Sequence, residues 1–189
     1  VLAGSTAPEV AVLLAGWRSA SVGADPASAL AAHRASAVTV LMRDDPRYPA
    51  VLRDDIEPPA VLFALGDLDH LHHPRAAIVG TRRCTGVGAG VARELGRDLA
   101  AAGVAVVSGL ALGIDGAAHR GVLDAVAAGC GWPAPIGVVG SGLDAVYPAR
   151  HRDLWESVGS VGALLSEAPL GVRPAAWRFP ARNRIIAAR

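Results

Sequence analysis

The chain has 189 residues, 52% of them hydrophobic, a length that suits one medium domain with a small appendage and is enough to bury a core. Its apolar runs are short and broken by Gly, Pro or Arg, which excludes a membrane-spanning helix. The formal net charge is only +1, yet all 18 basic residues are Arg, and residues 168–189 hold five of them after the last acid, Glu167.

The opening stretch is Ala-rich, with helical spacing at Val10, Leu13, Leu14 and Trp17 and again around Leu30. It carries Glu9 and Trp17 without a basic region or a small-residue cleavage site, so it does not read as a signal peptide, and a cytoplasmic location is the default. With Val at position 1, residues 1–37 are read as a partial helical region of something longer. Val38 to Met42 forms a short strand candidate. The prolines of Arg43-Asp-Asp-Pro-Arg-Tyr-Pro49 then exclude a regular helix. Pro58 to Gly66 gives a second extended run, and Asp67 to Pro74 reads as a polar linker, so residues 38–73 form an extended subdomain with its linker.

From residue 74 the pattern changes. Apolar β-type runs fall at Ala76–Val79, Val104–Val107, Ile136–Val139 and Gly162–Leu165, about thirty residues apart. Between them lie helical periodicities at Val91-Leu95-Leu99 and Ala118-Val122-Val126. Apolar strands alternating with helices imply an α/β fold with an open parallel sheet covered on both faces. Right-handed crossovers place every strand's C-terminal end on one edge, where ligands bind in such folds.

That edge is small and polar. Its four segments are Gly80-Thr-Arg82, Ser108-Gly-Leu-Ala111, Gly140-Ser-Gly-Leu143 and Ser166-Glu-Ala-Pro169. Glycine lets a ligand approach the backbone, and hydroxyls and helix-start amides are partners for phosphate. A dinucleotide is not indicated: Gly86-Val-Gly-Ala-Gly90 is not G-x-G-x-x-G, and the second strand ends in Ser108 where a ribose-binding acid belongs. With no Lys in the chain there is no Walker-type loop either. No cofactor or metal is expected. Cys84 and Cys130 stand far apart outside any C-x-x-C pattern, and reduced thiols are the expectation. Asp115 and His119 could share a helix face as an acid/base pair, but Asp115 reads better as the N-cap of a helix that stops at Gly129. No catalytic residue is assigned.

The segment Trp177-Arg-Phe-Pro-Ala-Arg-Asn-Arg-Ile-Ile-Ala187 combines cations, an amide and aromatics. Arg182 and Arg184 can neutralise phosphates, and Asn183 can bond a base edge or cap a helix. Phe179 or Trp177 can stack on an unpaired base. Against this stands a reading of both aromatics as core anchors, favoured for Trp177.

These residues resemble the DNA-processing proteins called DprA or Smf, from about Tyr48 to Ala187. The matching motifs are Tyr48-Pro-x-x-Leu52, Pro58-Pro-x-Val-Leu62 with Gly66, Ile78-Val-Gly-Thr-Arg82, Ser108-Gly-Leu-Ala111, Gly113-Ile-Asp115 with Ala118-His119, Gly142-Leu-Asp144, Tyr147-Pro148, Ser166-Glu167 and Phe179-Pro-x-Arg-Asn-Arg-Ile-Ile186. The resemblance implies a Rossmann-like domain over residues 74–189 that binds single-stranded DNA without an enzymatic step. It further implies loading of RecA during natural transformation, and a homodimer in the whole protein. By motif, Gly80, Thr81, Arg82, Ser108, Gly109, Phe179, Arg182, Asn183 and Arg184 would bind the nucleic acid. Two departures stand out. Thr85-Gly-Val-Gly88 lacks the aromatic often found there in the family, and the chain stops inside a helix, so further strands and a C-terminal small domain are expected beyond it. The alternative is a nucleoside-monophosphate-binding enzyme or sensor of the related phosphoribohydrolase-like group, whose P-G-G-x-G-T-x-x-E motif is absent.

Overall fold

A computed structural model describes residues 22–130, 132 and 134–188. The helical spacing of Val10 to Trp17 lies outside them. The first described helix, α1 (Pro26–Ala35), starts as its sequence dictates: Asp25 accepts the Ala27 N–H, and Pro26 supplies a first-turn residue that needs no partner.

Six strands form one sheet: β1 (Thr39–Met42), β2 (Val61–Gly66), β3 (Arg75–Ala77), β4 (Ala105–Ser108), β5 (Ile136–Val139) and β6 (Ala163–Ser166). Their order across the sheet is β1-β2-β6-β5-β4-β3. The last four in the chain run parallel, whereas β2 pairs antiparallel with both β1 and β6. The boundary expected at 73/74 therefore marks a change of strand direction within one sheet, since the two earlier strands extend it through β6. Asp67 to Pro74, read as a polar linker, contains a 3-10 turn over Leu68–His72 that buries His70 and Leu71. The His70 ring packs edge-on against Trp132, and its Nδ1 accepts the Ala134 N–H.

The two faces are sorted by strand parity. Ala105, Val107, Ile136, Val138 and Leu165 point to one side, where they meet Tyr48, Leu52 of the short helix α2 (Ala50–Arg53), Leu71, and Ile185 and Ile186 of α6 (Arg178–Ala187). Val106, Val139 and Leu164 point to the other, towards α3 (Gly86–Ala101), α4 (Ile114–Ala127) and α5 (Arg152–Val161). Every position of β4, β5 and β6 is buried, which is why these strands read as continuous apolar runs.

Helix α3 departs from its sequence pattern. Ala92, Gly96 and Ala100 face inward, and the larger Val91 and Leu95 lie exposed. The cause is its closeness to α4. A methyl group at Gly96 would stand 2.2 Å from the Ala118 carbonyl oxygen, and one at Gly121 would stand 1.8 Å from that of Arg93. Only the face of smallest residues fits so near a neighbouring backbone.

Candidate nucleic-acid interface

The ends of β3, β4, β5 and β6 meet at one edge, and a single carboxylate ties two of them together. Asp115 accepts the Gly80 N–H through Oδ1 and the Gly109 N–H through Oδ2, both at 3.2 Å. The sequence placed Asp115 at the helix N-cap. That position belongs to Gly113, at φ +81°, where a Cβ would stand 2.2 Å from the Thr81 carbonyl oxygen. Asp115 sits inside the first turn, buried, with its carboxylate turned towards the strand ends. Between them Leu110 adopts φ +55°, a left-handed conformation that costs a non-glycine residue about 1–2 kcal/mol. Its carbonyl is held by the His151 Nδ1–H at 3.0 Å.

The strand-end hydroxyls are used internally. Ser108 donates to the Ile78 carbonyl at 2.5 Å, Ser141 to Ala145 at 2.8 Å and Ser166 to Ser141 at 2.8 Å. Ser108 is wholly buried, so it braces β4 against β3 and does not line the groove. Thr81 is exposed, and its Oγ1 accepts the Arg83 N–H. Buried hydroxyls need partners, and here neighbouring carbonyls supply them.

Above this floor lies a wide, open groove lined by Gly80, Arg82, Asp115, Tyr147, Phe179, Arg182 and Asn183 among others. A narrow recess adjoins it between Gly109, Leu112, Gly140, Ser141 and Pro148. Both spaces are lined by Arg82, Tyr147 and Phe179. The Arg82 guanidinium lies 5.1 Å from the centre of the Phe179 ring, which stacks on Tyr147 at 5.2 Å and 27°. Arg82 is exposed and Phe179 half-buried, so a cation and aromatic surface stand side by side at the mouth.

The arginines of α6 act differently from one another. Arg182 is buried, and its Nη1 donates to the carbonyls of Gly109 and Val138 while its Nε donates to Asn183 Oδ1. Burial draws its pKa down, Asp115 opposes that, and Arg82 adds to it. Arg184 is half-buried and paired with Glu167 and, at 3.9 Å, with Glu57. The expectation that both neutralise phosphate is thus corrected in position. Arg182 bolts α6 to the ends of β4 and β5 and shows the groove only part of its guanidinium, and Arg184 is occupied by two acids. Asn183 is exposed on the groove wall. Trp177, favoured as a core anchor, is 55% exposed with the Arg178 guanidinium 4.4 Å over its ring.

His119 lies beneath the edge, fully buried. Neither ring nitrogen has a hydrogen-bond partner among the described residues. Burial lowers its pKa to about 4; the Ser108 backbone beside it opposes this in part, and the charges of Arg182 and His151 push the same way as burial. It is neutral at pH 7 and closed off from the groove. No role was expected for Tyr147 or for the Pro174–Ala176 segment, both of which wall the groove. An aromatic beside proline just after a strand-end loop was the available signal for Tyr147.

Fold and site together define an open α/β sheet with a cationic, aromatic groove at its strand-end edge. The chain belongs to the DNA recombination-mediator protein A family, whose pattern it matches over residues 39–189. It is 41% identical to protein Smf of Synechocystis sp. over 86% of this chain and 40% of that one. To DNA processing protein DprA of Bacillus subtilis it is 38% identical, over 83% of this chain and 51% of that one. The solved structure of DprA from Streptococcus pneumoniae superposes with a TM-score of 0.72 at 36% identity, covering 83% of this chain and 54% of that one. DprA from Helicobacter pylori, whose structure is described as showing a unique single-stranded DNA binding mode, superposes with a TM-score of 0.67 at 30% identity, covering 80% and 65%. The chain spans about half the length, or less, of these curated relatives.

Proposed function

We propose that this chain binds single-stranded DNA in the groove formed by Arg82, Phe179 and Tyr147, with little sequence preference and no chemical step. The observation that carries this reading is the exposed Arg82 cation over the Phe179 ring, itself stacked on Tyr147, in an open channel. Cations beside stacking surfaces are the recurring means of holding unpaired strands, because every base has a π face and every nucleotide a phosphate. The binding mode described for the Helicobacter pylori relative supports it. Binding without catalysis fits the polar groups present. Asp115 is committed to two backbone amides, and His119 is sealed beneath the sheet edge. Homodimerisation and the loading of RecA in natural transformation, both implied by the family resemblance, are proposed for the whole protein.

Fluorescence anisotropy of a labelled poly-dT oligonucleotide tests the reading across a salt series, with duplex and nucleoside monophosphate as competitors. Salt-sensitive binding is expected, outcompeted by neither. Arg82→Ala should weaken it and lower the salt slope by about one. Efficient displacement by the monophosphate would point instead to a small-nucleotide sensor.

A further inference from the structure

We propose that Trp177 forms a second nucleobase-stacking site on the opposite flank of α6 from Phe179, so that one DNA strand crossing the start of this helix is gripped on both sides. The inference rests on the single-strand reading above and adds to it a site beyond the Arg82 groove.

Trp177 has helical backbone angles, φ −70° and ψ −23°. Two residues on a helix turn the direction by about 200°, so Trp177 and Phe179 leave the helix on opposite sides. The spaces they line agree: Phe179 lines the groove and the recess, and Trp177 does not. Trp177 instead lines a shallow hollow with Val139, Gly140, Glu167, Ala168, Arg178 and Arg182. Its walls set small and apolar residues beside the charged side chains of Glu167, Arg178 and Arg182.

Three further observations select the ligand. The Arg178 guanidinium over the indole places positive charge beside the stacking surface, the pairing a nucleotide needs for base and phosphate together. The acid on this wall, Glu167, is already matched by Arg184 and leaves little repulsion for a phosphate. The hollow is also continuous with the interface already described, because Val139, Gly140 and Arg182 line both it and the recess. Gly140 sits at the junction, where a Cβ would come within 3.3 Å of the Phe179 ring and the Arg178 carbonyl oxygen. Any larger residue would crowd the passage between the two aromatic sites.

The test is anisotropy with oligonucleotides lengthened one nucleotide at a time, against the wild type, Trp177→Ala and Trp177→Phe. Wild-type affinity should step upward at the length that spans both flanks. Trp177→Ala should lose that step, binding long oligonucleotides at least about fivefold more weakly and the shortest ones as well as the wild type does. Trp177→Phe should keep most of the step, and neither variant should change the salt slope, since no phosphate contact is removed. Equal binding by Trp177→Ala and wild type at every length would overturn the second site, as would a uniform loss that includes the shortest oligonucleotide. If the wild type binds no single strand at any length, the underlying functional reading fails with it, an outcome separable from the other two.

Discussion

Replacing Arg182 by methionine separates its two candidate roles. The side chain keeps an unbranched apolar stem but loses every donor. The carbonyls of Gly109 and Val138, both on buried residues, would each be left without the guanidinium, and an abandoned buried acceptor costs about 1–3 kcal/mol. Asp115 would also lose the cation whose charge it faces, a change that penalises an isolated buried carboxylate further. The combined loss should reach about 3–5 kcal/mol, a large part of the roughly 5–15 kcal/mol that holds a domain folded. Arg182→Lys keeps the charge, but an ammonium cannot span two strand ends and Asn183 with a planar fork, so it should recover no more than about half. Urea unfolding followed by circular dichroism measures both variants, with oligonucleotide anisotropy alongside. A methionine variant less than about 1 kcal/mol weaker in stability, yet tenfold weaker for DNA, would refute this account and make Arg182 a phosphate ligand.

His119 gives a prediction in pH. Its folded pKa, about 4, lies below its ordinary 6.5, so the unfolded chain takes up a proton first as pH falls, and stability drops through the window from about 6.5 to 4. The wild type should be about 2 kcal/mol less stable at pH 5 than at pH 7.5 from this side chain alone, and His119→Leu should remove most of that difference in urea midpoints; an unchanged pH profile would contradict it. Arg184→Ala should lower stability by about 1 kcal/mol through its partly exposed pairs with Glu167 and Glu57. It should leave the salt slope of oligonucleotide binding unchanged, and a slope reduced by one would return Arg184 to the phosphate contacts.

The parallel half of the sheet was legible because strands buried on both faces leave unbroken apolar runs, as at Ile136–Val139, where expectation and structure coincide. Less legible was the membership of β1 and β2, since antiparallel pairing with β6 joins segments a hundred residues apart and leaves no local periodicity. The Val91-Leu95-Leu99 spacing correctly indicated a helix but not its inward face, because α3 meets α4 through glycine and alanine. At the site, the sequence was enough to bring Arg82 and Phe179 to the groove, since both follow directly from the strand-end and helix-start segments. For Arg182, Arg184 and Ser108 it was not. Nothing local distinguishes an arginine that meets solvent from one that meets two carbonyls contributed by residues 73 and 44 positions away.

The stitching of Gly80, Gly109 and Val138 by Asp115 and Arg182 has a consequence for the proposed binding of a strand. The groove floor consists of backbone already cross-tied to a helix start and a helix side, so its shape is set before any ligand arrives. The ordering entropy then falls almost wholly on the incoming polymer, which is the flexible party. Such a preorganised channel should show little difference in encounter rate among variants of its aromatic rim, and residence time should carry the differences in affinity. The rigid floor lets a handful of exposed side chains be exchanged to retune retention while the scaffold beneath them stays fixed.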